Sequence, residues 1–476
     1  MRILVSLLLL VSAADVSAQA LDLTACVQQA LVRNPTLQDA RDSTTTARLR
    51  REVALAEYNL KIVPTVDGGL QGSNETNQRY QLLFGRKVLP TGTEVTLTGG
   101  TSVFSSVPQL AIPYFTETRL GVAQPLLQGR SRLENRDRID DADRRVSSAD
   151  HALESAREDL ALEVVRGFYE VVAADELVRV GEKSIERVEQ LRDVADAKLS
   201  LGQVSKMDVF RAELHAGRMR NAVLQQRARR DAGVDALKRA LGIDPRVRLE
   251  IDGRLQGPRP LDLPPEAVVE SALDRRIEVI EAKLRVADAE RKLLLARHRL
   301  WPAVYLTGAY ARQGLGDDFD SSLKLDREEW TVGLRSSVPL DRTIENVAVG
   351  EAELALRGSE RQYQKTLADV IQEVRDSRRQ LDRARAERAL AAEVSGHAEQ
   401  QAELARLRYE KGITNNFDLV QAEQQLTDAR TQVVLGAIQE VMAAAFERRA
   451  AGKLLEAFGV AAARPAQNVE TDDASR

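Results

Sequence analysis

Between Leu153 and Ala195, apolar and small residues return every seven positions. Leu153, Leu160, Gly167, Ala174, Gly181, Val188 and Ala195 hold one place in the repeat, and Val164, Val171, Val178 and Ile185 hold its partner. A sustained seven-residue spacing predicts a coiled-coil helix, and small residues opposite β-branched ones let two backbones come close. No proline falls between Pro125 and Pro245 or between Pro339 and Pro465, so little interrupts the helical pattern. Helices are predicted from about Leu133 to Leu199 and from about Thr343 to Lys411, each about 100 Å long at about 1.5 Å per residue. Shorter returning helices are predicted over about Ser205 to Gly242 and Asn415 to Gly459.

Elsewhere the period changes to two. In Pro64 to Ser73, Thr65, Asp67, Gln71 and Ser73 fall on one face and Val66 and Leu70 on the other. The counterpart is Pro302 to Tyr310. Returning strands follow, Phe115 to Leu126 in the first case and Trp330 to Leu340 in the second. In the latter, Val332, Leu334 and Val338 face away from Thr331, Arg335 and Ser337. Strands of about ten residues with one apolar and one polar face are the signature of a membrane β-barrel, though a half-buried sheet shows it too. Trp301 and Trp330 stand at strand ends, with Tyr114, Phe115, Tyr305 and Tyr310 nearby. Such rings suit a membrane interface. An extra stretch in the first copy, Lys87 to Thr98, reads as an additional hairpin.

These patterns occur twice. Ala195 to Glu213 reappears as Ala405 to Glu423, with Gly202 matching Gly412 and Asp208 matching Asp418. Each copy reads as the tip of a helical hairpin, where Gly ends one helix and Ser205 or Asn415 opens the next. Ahead of the strands, Ala30-Leu31, Arg33 and Ala40 match Ala272-Leu273, Arg275 and Ala282. The first short helix, Thr24 to Asn34, is expected to be capped by Thr24. The chain thus divides into a signal peptide at 1–20, a first repeat at 21–244 and a second at 265–459. The first holds a strand pair at about 62–128 and a tip at 200–206. The second holds a strand pair at about 302–340 and a tip at 410–416. Residues 245–264, rich in proline, form a linker or strap between the repeats, and 460–476 form a disordered tail.

Composition narrows the class. Aromatic residues are 4% and charged residues 29%, which suits long helices better than a thick core. Acids and bases are interspersed around a net charge of −4, with no basic stripe to bind nucleic acid. Met1-Arg2, an apolar run to Ala14 and Ala18-Gln19-Ala20 make a secretory signal, cleaved after Ala20. Cys26, the only cysteine, excludes a disulfide framework. Its setting loosely resembles a lipoprotein acylation site, and a buried thiol is the other reading. His151, His215, His298 and His397 lack the spacing of metal ligands. Gly181-Glu182-Lys183-Ser184 lacks the glycines of a phosphate loop, and Asp317-Asp318-Phe319-Asp320 lacks the glycine of a calcium loop and reads as an extracellular loop. No enzyme chemistry and no cofactor is expected.

About four strands cannot close a membrane barrel, which needs about eight. An open edge in lipid would strand backbone groups at several kcal/mol each. Several chains must therefore pool their strands, and pooled hairpins would continue the barrel as a helical tube. The whole mature chain resembles the TolC-type outer membrane factors. The resemblance rests on the repeat, the Ala-Leu helix starts, the Pro-x-Val strand entries and the exits Gln124-Pro125-Leu126 and Val338-Pro339-Leu340. It rests most on Tyr409-Glu410-Lys411-Gly412 and Asp418-x-x-x-Ala422-Glu423 at the tip.

That resemblance implies a mainly α fold with a membrane β-barrel portion: a long antiparallel coiled-coil α-barrel plus about four transmembrane strands per chain, pooled in a homotrimer with a twelve-stranded barrel. It implies an outer membrane location in a Gram-negative bacterium, with a large periplasmic extension. The implied role is a passive exit duct for drug efflux or type I secretion. Its partners would be the lipid bilayer, a periplasmic membrane-fusion adaptor and an inner-membrane transporter of RND, ABC or MFS type, with no nucleic acid. At the tip, Asp418 matches an acidic pore ring, while Gln421 stands where the next ring carries an acid. Tyr409 matches a latching tyrosine and Asp208 its partner; Thr414 replaces a neighbouring arginine. Adaptor docking is expected at Gly202, Gln203, Val204, Gly412, Ile413 and Thr414. Asp208 and Asp418 also stand where an acid completes a helix cap, so cap and pore remain parallel readings. The rival from another class is a periplasmic coiled-coil adaptor or structural protein that never enters the membrane.

Overall fold

A computed structural model describes residues 21–71, 75–105, 114–253 and 257–460. The expected signal peptide, and the expected tail beyond Val460, lie outside those residues. The elements run α1 (Leu23–Arg33), α2 (Pro35–Ala56), β1 (Lys61–Gln71), β2 (Glu75–Lys87), β3 (Glu94–Ser105), β4 (Tyr114–Pro125), α3 (Arg132–Ser200) and α4 (Lys206–Leu241). They continue as α5 (Pro265–Arg275), α6 (Ile277–His298), β5 (Ala303–Gly316), α7 (Phe319–Ser322), β6 (Arg327–Ser337), α8 (Thr343–Glu410) and α9 (Asn416–Ala450). Helix lengths pair across the halves: 11 and 11 residues for α1 and α5, 22 and 22 for α2 and α6. The long helices give 69 and 68, and the returning ones 36 and 35.

Two local expectations change. Helix α1 is capped by Asp22, whose carboxylate accepts from Ala25 N at 2.7 Å, and Thr24 lies inside the helix. Residue 22 has the extended backbone a cap requires, and a carboxylate there also meets the helix dipole. Helix α9 ends at Ala450, short of Gly459, because Gly452 takes φ +67° and a 3-10 turn follows over Leu455–Phe458. Two terminators in succession divide what the pattern presents as one helix.

The chain forms two compact units. One holds the described residues up to Arg41, then 152–279 and those from Leu367 on; the other holds 42–151 and 280–366. In the first unit, α1 packs Cys26, Val27 and Leu31 against Val164, Val165 and Phe168 of α3, with Leu237 and Leu241 of α4. Cys26 is fully buried there and burial pushes its thiol up to about 12, so it is a core group and not an exposed attachment point. The heptad glycines are sockets. A Cβ at Gly181 would lie 2.4 Å from Val223 Cγ2 of α4, so valine occupies the space that glycine leaves. The strap is tied down locally: Leu21 bridges Ile251, and Leu261 N donates to the buried Glu447 carboxylate at 3.0 Å. Arg378 also holds Glu447, at 2.8 Å.

The second unit carries the sheet. Its order is β1-β2-β3-β4-β5-β6, each strand antiparallel to the next. About four strands were expected, and six are described. Strands β2 and β3 are the extra pair, turning at Val88 to Thr93 where the sequence signalled a hairpin. Beside the sheet, Arg291 of α6 meets Asp137 and Asp141 of α3 and Asp288 of its own helix. Arg144 reaches the same Asp288 at 2.8 Å.

Candidate functional site: hairpin tips and a two-faced sheet

Both tips are built by the same backbone rule. Gly202 and Gly412 take φ of +71° and +72°, and nothing lies within 4 Å of a Cβ at either. Gly202 N donates to Leu199 O and Gln203 N to Lys198 O; Gly412 N donates to Tyr409 O and Ile413 N to Arg408 O. These bonds satisfy the last carbonyls of α3 and α8. Gln203 and Ile413 are exposed, while Val204 and Thr414 are half-buried.

The two acids differ in their settings. Asp208 is mostly buried, accepts from Ser205 N and Oγ at 3.1 and 2.8 Å, and lies 3.4 Å from Arg211. Asp418 is exposed and accepts from Thr414 Oγ1. In the second tip the cap itself is Asn415, whose Oδ1 accepts from Phe417 N and Asp418 N. Capping thus uses Asp208 but leaves the Asp418 carboxylate largely in water. Gln421 is exposed on the same face, one turn along.

Tyr409 is buried among Leu191, Ala212 and Leu419. Its phenol has no hydrogen-bond partner, and burial first, then the charge of Asp208, raises its pKa. What joins the hairpins is different. Lys198 Nζ donates to Tyr409 O at 2.5 Å and stands 4.3 Å over the Tyr409 ring, placing a cation on the end of α8. In return, fully buried Asn416 donates to Asp208 O at 2.7 Å. Further along, Arg187 pairs with buried Glu423 at 2.7 Å and Ser184 bonds Thr427 at 2.9 Å. Lys198 and Asn416 were not singled out in the sequence. A lysine near a helix C-terminus and an asparagine after a cap look like ordinary surface residues until the second hairpin is laid beside them.

In the sheet, unbroken register fixes which side chains share a face. The row Thr65, Gln81, Gly100, Glu117, Gln313, Arg327 crosses all six strands on one side. Rows beside it add Asp67, Arg79, Thr98, Arg119 and Glu329. Glu117 pairs with Arg119 at 2.7 Å, and Gln313 bonds Glu117 and Glu329. The opposite side carries Ile62, Val66, Leu82, Leu97, Leu120, Val122, Leu306, Val332 and Leu334, all exposed. So broad an apolar face left open marks a surface made for another apolar medium. Of the expected interface rings, Tyr114, Tyr310 and Trp330 lie on this apolar side, with Trp330 74% exposed. Phe115 and Tyr305 fall on the polar side, one residue out of phase. Trp301 follows α6 and stacks on His298 at 5.5 Å. Tyr80 and Phe84 of β2 join the apolar side and were missed, because their strand lacked a counterpart in the second repeat.

No described helix is long and apolar enough to cross a membrane. Residues 268–453 match the model of the outer membrane efflux protein family. No curated protein matches the sequence. Among solved structures, the chain is similar to CusC, whose structures concern folding and transmembrane channel formation, at 15% identity and TM-score 0.70, over 90% of this chain and 92% of that one. It is similar to the CmeC outer membrane channel of Campylobacter jejuni at 16% and 0.70, over 91% and 86%. It also resembles the outer membrane protein VceC of Vibrio cholerae at 17% and 0.69, over 90% and 96%. The second half of the chain is thus similar to the outer membrane efflux protein family, and along nine-tenths of its length the chain has the fold of the outer membrane channels.

Proposed function

We propose that three copies of this chain form the exit duct of a tripartite export system, passive in itself and driven by an inner-membrane transporter through a periplasmic adaptor. The observation that carries the reading is the sheet: an exposed apolar face, a charged face and two edge strands, β1 and β6, that each have a single neighbour among the described residues. In lipid those edges would leave backbone groups unsatisfied, and only closure with further strands removes the cost. A periplasmic adaptor or structural coiled coil would need neither the open apolar face nor such edges. The test is extraction and electrophoresis of the full-length protein. It should partition with the outer membrane and migrate as an SDS-resistant trimer that heating collapses. Recovery in the soluble periplasmic fraction would refute the duct.

Within this duct the tips form the periplasmic mouth. Asp418 lines the entrance and favours cations, because its carboxylate is exposed and not consumed by the helix cap. Gln421 leaves the next ring neutral, and Asp208 and Tyr409 hold the hairpins from behind. The adaptor docks over Gly202, Gln203, Val204, Gly412, Ile413 and Thr414, the exposed and half-buried turn residues between paired helices. Trp330, Tyr310 and Tyr114 sit at the bilayer interface. In planar bilayers Asp418→Asn should weaken cation preference and block by multivalent cations. Unchanged selectivity and block would leave Asp418 with a local structural role alone.

A further inference from the structure

We infer that the duct closes as a barrel of eighteen strands, six from each of three copies, with the β2–β3 hairpin built into its wall. The inference rests on the trimeric duct proposed above and departs from the twelve strands that the family resemblance implies. Three observations carry it.

First, the hairpin is not an appendage. Its ladders to β1 and β4 run without a bulge, from Lys61 opposite Gly85 to Gln71 opposite Glu75, and from Glu94 opposite Ala123 to Val103 opposite Tyr114. Removing β2 and β3 would take from β1 its one neighbour among the described strands and strip one edge of β4, which would keep only β5.

Second, the hairpin repeats the two-sided chemistry of its neighbours. Arg79, Gln81, Thr96, Thr98 and Ser102 continue the polar side, while Tyr80, Leu82, Phe84, Val95 and Leu97 continue the apolar side. Leu82 and Leu97 are exposed there and not folded under another element. A hairpin lying over the sheet would bury one of these faces.

Third, its turn is locked. Val88 N donates to Thr93 O at 2.7 Å and Gly92 N to Val88 O at 2.9 Å. Gly92 has φ +67°, and a Cβ there would stand 2.4 Å from Gly129 O. Gln124 of β4 bonds Thr91 O at 3.3 Å, so the turn is fixed to the end of the fourth strand.

Closure follows from parity. With six strands per chain, β1 and β6 run in opposite directions, so β6 of one copy meets β1 of the next as an antiparallel pair. Barrel diameter grows roughly in proportion to strand number, so eighteen strands give a lumen about half again as wide as twelve. The wall then passes cargo that a narrower one would retard, and it leaves the tips as the limiting constriction.

The test attaches a bimane fluorophore to single introduced cysteines in the purified full-length oligomer; native Cys26 is buried and does not compete. The labelled protein is placed in phosphatidylcholine vesicles with and without mid-chain doxyl lipid. Leu306→Cys and Val332→Cys report on β5 and β6, which face lipid at any strand count. Leu82→Cys and Leu97→Cys report on the hairpin, and Gln81→Cys and Thr98→Cys on its polar side. The expected result is a loss of about half the fluorescence or more to doxyl lipid at all four leucine and valine positions, with aqueous iodide quenching at Gln81 and Thr98 instead. Lipid quenching at 306 and 332 with iodide quenching at 82 and 97 would put the hairpin outside the wall and overturn the inference, leaving the duct intact. Absence of lipid quenching at 306 and 332 as well would overturn both.

Discussion

Asp208 and Asp418 stand at equivalent places in two copies of one motif, yet one is enclosed by its own cap and an arginine while the other meets solvent. The difference traces to Asn415, which caps α9 with its own side chain and frees the acid that follows. Asn416 does the opposite work, tying α9 to the Asp208 carbonyl from a fully buried position. Asn416→Ala should remove the side-chain bond to that carbonyl, which keeps its bond within α4, at about 0.5–1.5 kcal/mol, speeding amide hydrogen exchange across residues 195–210 and 405–420 by several-fold, up to about tenfold. The exposed Gln421→Ala should leave exchange unchanged, and equal exchange in both variants would show that Asn416 does not hold the tips. Burial, then Glu278 and Glu154, raises the Glu158 carboxyl to about 7. The folded chain keeps a proton there that the unfolded chain loses between about pH 4.5 and 7, so this group lowers stability as pH rises through that window. Glu158→Gln should therefore raise the melting temperature at pH 8, by about 1–2 kcal/mol in stability, and change little at pH 4.5. An equal gain at both pH values would rule out the titration. The tip motif was legible as a motif, through its glycines and capping residues. The bonds from Lys198 to Tyr409 and from Asn416 to Asp208 were not, since they join residues more than 200 apart.

At the scale of elements, the heptad pattern carried most of the information. Val164, Val188 and Ala195 are fully buried where the period places them, and the four long and returning helices end within a few residues of the tips as expected. Gly181 states the principle in one contact. Gly181→Val should push α3 from α4 and destabilise by about 1–3 kcal/mol, because Val223 already fills the socket. Adding Val223→Ala should restore much of the loss in a denaturant titration. A double variant no more stable than the single one would mean that the space is not shared. The sheet was legible as alternation, which set the faces of β1 and β6 correctly. It was less legible as a count. Strands β2 and β3 have no partner in the second repeat, so an argument from duplication undervalued them. The same parity places Phe115 and Tyr305 on the polar side, because proximity in sequence to Tyr114 or Tyr310 says nothing about the face when the period is two.

For the whole molecule, duplication explains why paired helices match in length while the strand regions differ. Two arms that end together must be equally long, whereas the wall tolerates an added hairpin because strands enter a barrel two at a time. So broad an exposed apolar side is out of place in a protein surrounded by water, and β1 and β6 each have one neighbour among the described residues. Both features are accounted for together if copies of the chain close a wall in the bilayer, and the charged side then lines a water-filled path. The direct test is electrical. Purified full-length oligomer added to a planar bilayer, without nucleotide or ion gradient beyond the applied voltage, should insert to give discrete, ohmic, long-lived conductance steps. An SDS-resistant oligomer that binds the bilayer yet never conducts would contradict the account.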